Sequence, residues 1–182
     1  MSTKVELLDH DPQWPHLARR EGERFAAALG GDARLIAVHH IGSTAIPGIQ
    51  AKPILDLMPE VTSLEWLDKL QAQIEAAGYE YWGDYGIARR RFCPRMGGDG
   101  WRQVNVHCFL SGDEQLIRHL AFRDYLREHP IVASEYEQVK RNCAALHSED
   151  AHAYTLCKSD WIQATQQQAL RWWEAPRQGE AR

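Results

Sequence analysis

The chain has 182 residues, 44% of them hydrophobic and 25% charged, and a formal net charge of −4. That length suits one domain, or one domain with a helical annex, and allows a substantial core. The acidic balance speaks against wholesale nucleic-acid binding, and no apolar run approaches the roughly 18–20 residues of a membrane span.

The opening stretch, Met1 to Asp11, is polar and acidic and does not read as a signal peptide, so the cytoplasm is the expected compartment. Asp11-Pro12 reads as an N-cap with proline at the first helical position. Leu17, Phe25 and Leu29 then suit a helix ending at Gly30-Gly31. Leu35 to Val38 predicts a buried strand running through His39-His40-Ile41 into a Gly42-Ser43 turn, and Pro53 to Met58 predicts the next. Thr62-x-x-Glu65 is a capping box for a helix with Leu64, Leu67, Leu70 and Ile74 on one stripe, stopping at Gly78. Tyr79 to Tyr81 and Ile87 to Phe92 are short strand candidates. Gly97 to Gly100 marks a hairpin, and Val104, Val106, Cys108 and Leu110 alternate beyond it.

After Ser111-Gly112 the texture becomes helical, over 113–129, 131–146 and about 149–174, with Pro130 dividing the first two and 176–182 reading as a frayed tail. Strands in the first two thirds and helices in the last predict an α+β domain with a C-terminal helical layer. Cys93, Cys108, Cys143 and Cys157 lie 15, 35 and 14 apart with no Cys-x-x-Cys pair. That spacing predicts buried free thiols in a reducing compartment rather than a disulfide framework or zinc knuckle.

The polar residues within this pattern suggest a site. Strand alternation puts Ile54, Asp56 and Met58 on one face of their strand, and Gln103, Asn105, His107 and Phe109 on one face of a later strand. If the two strands are neighbours, Asp56 and His107 meet. A carboxylate, a neutral imidazole and waters would hold Mn²⁺ or a related ion, magnesium preferring more oxygen. The plainer reading has Asp56 accepting hydrogen bonds from the Gly-Ser turn and bracing it. Gly42 and Ser43, after a strand and before a short connection, sit in a phosphate-cradling context, and Lys52 would add a point charge. Five arginines between Gly86 and Arg102 stand against one aspartate, Asp99. Arg89 and Arg91 share a strand face there, either as an anion site or as charges guarding a sheet edge. His39 and His40 beside the turn read first as a structural pair, with ligand or acid–base duty the alternative for His40. Asp124 in Arg123-Asp124-Tyr125, with Arg127 near, reads as an ion pair bracing helices, and Trp161, Trp172 and Trp173 as core and docking surface.

These residues match a known pattern. Asp11-Pro12-Gln13-Trp14, His40 to Gly48, Lys52-Pro53-Ile54-Leu55-Asp56, Gly78 to Tyr81, Arg90-Arg91-Phe92, Val106-His107, Leu120 to Pro130, Glu135-Tyr136 and Tyr154 to Lys158 together resemble the GrpB family. That family is placed in the polymerase-beta-like nucleotidyltransferase superfamily. The resemblance implies one GrpB-like domain over 1–182: a nucleotidyltransferase-like α/β core over about 11–112, helices over about 113–175 and a tail. It implies a mixed sheet with helices. Working superfamily members follow a Gly-Ser pair with a strand bearing acids at i and i+2, add a third acid later, and bind two Mg²⁺ ions. Here Gly42-Ser43 and Asp56 match, Met58 stands at i+2, and His107 is the later group.

Two functions follow from the resemblance. One is nucleotidyl or phosphoryl transfer to a small molecule, with Mg²⁺ or Mn²⁺ on Asp56 and His107 and phosphates on Gly42, Ser43, Lys52, Arg89 and Arg91. The other is a non-catalytic nucleotide- or coenzyme-binding module, a reading favoured by the fusion of GrpB-like domains to dephospho-coenzyme A kinase. In both the partner is a phosphate-containing small molecule.

Overall fold

In the computed structural model, which describes residues 4–175, a mixed five-stranded sheet is covered by helices on both faces. Helix α1 (Trp14–Ala28) precedes strand β1 (Leu35–Ile41), a 3-10 turn (Ser43–Ala45) and strand β2 (Leu55–Val61). Helices α2 (Leu64–Lys69) and α3 (Gln71–Ala76) follow, then strands β3 (Arg90–Phe92), β4 (Arg95–Met96) and β5 (Arg102–Leu110). Helices α4 (Glu114–Glu128), α5 (Pro130–Leu146), α6 (Ala151–Cys157) and α7 (Ser159–Glu174) close the domain. No helix among the described residues is long and apolar enough to cross a membrane. Residues 176–182 lie outside the described residues.

The strand order is β1-β2-β5-β3, with β4 also on β5. β2 runs parallel to β5 and antiparallel to β1, and β3 and β4 are antiparallel to β5. Alternation divides the sheet as expected. Leu57, Val104, Val106 and Cys108 point toward α1–α3 and pack with Phe25, Leu67, Ile74 and Tyr79 in the main core. On the other face, Met58 and Phe109 pack with Ile41 and Leu116 beneath α4. Phe122, Leu126, Tyr136 and Trp161 form a second core among the C-terminal helices. Trp161 stacks on Tyr136 with centroids 5.1 Å apart, a core role as its helical setting suggests.

Several local expectations shift. Helix α1 begins at Trp14, with Pro15 rather than Pro12 in its first turn, and Asp11 Oδ1 accepts the Gln13 N–H at 2.8 Å. β1 is an edge strand and only partly buried; Ile36 is 52% exposed. Ser63, not Thr62, caps α2, its Oγ accepting the Trp66 N–H and donating to Glu65. The helix over 64–76 is two short pieces, ending before Gly78 at φ +90°. Tyr79 to Tyr81 form no strand, and the strand expected from Ile87 starts at Arg90 because Arg89 holds φ +63°. The helix expected over 149–174 is two, α6 and α7.

The cysteine expectation is half corrected. Cys93 and Cys108 are buried free thiols, but Cys143 and Cys157 form a disulfide joining α5 to the end of α6. The long gaps in sequence hid this pairing, which arises because α6 folds back along α5.

Candidate functional site

The site grows from the middle of the sheet. Asp56 lies opposite Asn105 in the β2–β5 register, and His107 lies opposite Phe92 across β5–β3. Asn105 Nδ2 donates to Asp56 Oδ1 at 2.8 Å, and His107 Nε2 is 3.5 Å from the same oxygen. Asp56 and His107 thus meet as the strand pattern anticipates. Burial alone would raise the Asp56 pKa, yet His107, Asn105 and the more distant His119 hold it below its ordinary value. It is an ionised carboxylate.

Arg90 fixes the state of His107. Its guanidinium Nη1 lies 3.3 Å from His107 Nδ1 while its other nitrogens donate to the Asp84 and Tyr85 carbonyls. A guanidinium only donates, so Nδ1 must accept and the ring proton sits on Nε2, facing Asp56. His119 stands 6.2 Å away, ring to ring, and burial, then Arg118 and His107, push its pKa down to about 3.

The Gly-Ser turn reaches Asp56 from β1. Gly42 holds φ +73°, and a Cβ there would collide with Asp56 Oδ2. Only glycine meets both demands. Ser43 Oγ donates to Tyr136 Oη at 3.4 Å. Burial lowers the His40 pKa to about 4, so the ring is neutral, and its Nε2 pairs with Thr44 Oγ1 at 2.9 Å. Arg123 donates to the His40 carbonyl and Arg127 to the Ala45 carbonyl, with Asp124 pairing both arginines. The Asp124 cluster therefore braces α4 against the turn.

Beside Asp56 opens a cavity of about 160 Å³ whose walls include Ser43, Thr44, Lys52, Asn105, Lys140 and Lys158. Asp56 is the acidic residue in this wall among the described residues. Lys140 is 1% exposed, donates to the Gln50 carbonyl, and lies 4.8 Å over the Tyr136 ring. Lys52 and Lys158 both lie over Tyr154, at 6.0 and 5.2 Å. Burial lowers all three lysine pKa values, that of Lys140 to about 7. A larger groove of about 400 Å³ between α1 and β1 is walled chiefly by small and apolar residues such as Ala18, Gly22 and Ala26, and Asp56 is not part of it.

The predicted arginines are placed elsewhere. Arg91 lies on the opposite face of the sheet, in a two-pronged pair with Asp68 of α2. Arg89 is 3.1 Å from Asp113, the residue capping α4. Neither joins Asp56, and Arg90 takes that face instead. Gly42, Ser43 and Lys52 are brought to Asp56 as expected. Sequence reasoning missed Asn105 as a partner, although it sat on the correct face, and missed Lys140 and Lys158, which arrive from distant helices.

A superfamily-type metal pair requires more donors than these. Met58, at i+2, is fully buried in the apolar cluster under α4. The proton on His107 Nε2 occupies the lone pair a metal would need. No group of three or more His, Cys, Asp or Glu among the described residues is placed to hold an ion. The residues do not fit a two-metal centre. Asn105 Oδ1, however, is buried without a hydrogen-bond partner among the described residues, so Asp56 and Asn105 offer two oxygens to a single hard cation.

The model of the GrpB protein family matches residues 4–168. The chain belongs to the GrpB family. A solved GrpB protein from Enterococcus faecalis is 34% identical, covers 93% of this chain and 100% of its own, and superposes with a TM-score of 0.85. The UPF0157 protein YqkA of Bacillus subtilis is 40% identical over 93% of this chain but 48% of its own length. The chain thus spans about half of that GrpB relative. A dephospho-CoA kinase of Mycolicibacterium paratuberculosis is 30% identical over 92% of this chain and 46% of its own. The Cid1 poly(U) polymerase shares the fold at a TM-score of 0.54 and 12% identity, over 85% of this chain and 49% of its own. The GrpB fold here is therefore of the polymerase-beta-like nucleotidyltransferase kind.

Proposed function

We propose that this GrpB-family protein is a cytoplasmic binding module for a phosphate-bearing small molecule, a nucleotide or coenzyme, held in the cavity beside Asp56. One observation supports this above others. Three lysines, Lys52, Lys140 and Lys158, line one small cavity in which burial depresses each of their pKa values. Desolvated cations of one sign are costly unless an anion completes them. Ser43 and Thr44 add hydroxyls on the same wall. The kinship with a dephospho-CoA kinase makes coenzyme A precursors natural candidates beside nucleotides.

A second reading is metal-dependent nucleotidyl or phosphoryl transfer to a small molecule. It is favoured by the unpartnered Asn105 Oδ1 beside Asp56, which would hold one Mg²⁺ or Mn²⁺. Such an ion would neutralise charge on a transferring phosphoryl group. This chain's own residues would orient the phosphates with the lysines and keep His107 aimed at Asp56 through Arg90.

A thermal-shift panel of nucleotides and coenzyme A precursors, with and without Mg²⁺ or Mn²⁺, separates the two. The binding reading expects stabilisation without metal, lost in Lys140→Met and kept or increased in Asp56→Asn, which removes the negative charge facing the ligand. Transfer expects stabilisation that requires metal and disappears in Asp56→Asn. If no phosphate compound moves the melting temperature under either condition, both readings fall.

A further inference from the structure

We propose that the Cys143–Cys157 disulfide is a redox tie on this cavity, holding one lysine wall in place so that its reduction loosens the wall and weakens polyphosphate binding. The inference rests on the anion reading above. Cys143 lies one helical turn after Lys140 in α5, and Cys157 ends α6 directly before Lys158. Tyr154, under both Lys52 and Lys158, is one turn before Cys157. The bridge therefore joins the two segments that bring Lys140 and Lys158 to the same space.

Besides the bridge, α6 is secured by its Asp150 cap and by one small apolar cluster. Helix α6 has seven residues, too few to be stable alone. Tyr154 is its buried residue, within a small cluster with Val5 and Cys143. Thr155, Leu156 and Cys157 are exposed, whereas Cys143 is 3% exposed. The bridge can be approached from its Cys157 end. A thiolate of a dithiol reductant attacks Cys157 Sγ and the Cys143 thiolate leaves. The second thiol then closes on the mixed disulfide, releasing Cys157. Two cysteine thiols form and the reductant leaves as its cyclic disulfide, so electrons and protons balance. In a reducing compartment a disulfide of this kind is transient and reports on redox state.

The test uses the full chain, oxidised, reduced with dithiothreitol, and as Cys143→Ser/Cys157→Ser. Inorganic triphosphate binding is measured by calorimetry, and amide hydrogen exchange is followed over residues 151–158. Reduction should weaken binding by about tenfold or more and speed exchange in that segment, with the double variant resembling the reduced form. Measurable triphosphate binding that is equal in the oxidised and reduced forms, or unchanged exchange over 151–158, overturns the tie. Faster exchange with no triphosphate binding in any form upholds the mechanical coupling and overturns the anion reading on which the ligand effect depends.

Discussion

The two faces of the central sheet are made by the same strands and do opposite work. Toward α1–α3, Leu57, Val104, Val106 and Cys108 meet Phe25 and Ile74 with almost no exposed surface, close packing dominates, and the charges there are matched, Arg91 with Asp68 and Arg95 with Glu21. Toward the C-terminal helices, the inner half is also apolar, with Met58 and Phe109 under Leu116. The outer half turns polar at Asp56, Asn105 and His107, and the lysines of α5 and the α6–α7 junction gather against it. One face is stabilised by what it excludes. The other gathers charges that burial disfavours.

The largest effect should come from damaging the closed face. Phe25 is 0% exposed and meets Tyr79 edge-on at 5.1 Å, so Phe25→Ala should cost about 3–5 kcal/mol in denaturant unfolding. Ligand binding by the fraction still folded should be unchanged. The open face should respond in the reverse sense. Lys140→Met removes a buried cation and should leave the protein equally stable, or up to about 1 kcal/mol more stable, while binding of triphosphate is lost.

The same lysine sets a pH signature. Its folded pKa, about 7, lies below the ordinary 10.5, so the unfolded chain binds more protons between these values. Its contribution to stability therefore rises with pH from about 7 to 10.5, and a linkage analysis of melting temperature in wild type against Lys140→Met isolates it. Anion binding should take up protons and weaken as pH rises above about 7. A smaller probe lies at the rim of the closed face: Ser63→Ala, which deletes the cap of α2, should cost about 1 kcal/mol by thermal unfolding, with ligand affinity intact.

Much of this division could be read from the residues themselves. The alternation through Ile54, Asp56 and Met58, and through Gln103, Asn105, His107 and Phe109, put Asp56 on one strand face and Asn105 with His107 on another, because pleat geometry is local. The Gly42-Ser43 turn was legible for the same reason. What stayed hidden came from non-local placement. A strand starting at Ile87 groups Arg89 with Arg91, but left-handed residues at Tyr85 and Arg89 delay it, so Arg90 turns inward and Arg91 goes to Asp68. Lys140 and Lys158 look like ordinary surface lysines on amphipathic helices until the docking of α5 and α6 is known. The disulfide was invisible because neither cysteine's sequence neighbourhood encodes the fold-back of α6.

At the head of the turn, positions 42 and 56 are bound to one another. The backbone there bends in a way that excludes a side chain, and the carboxylate presses against the bare α-carbon, leaving no room for one. Shortening the acid to open space would still leave the bend, and relaxing the bend would still leave the collision. Position 42 therefore stays glycine whatever stands at position 56, so a library randomising this chain should return that letter long before it fixes any other in the surrounding loop.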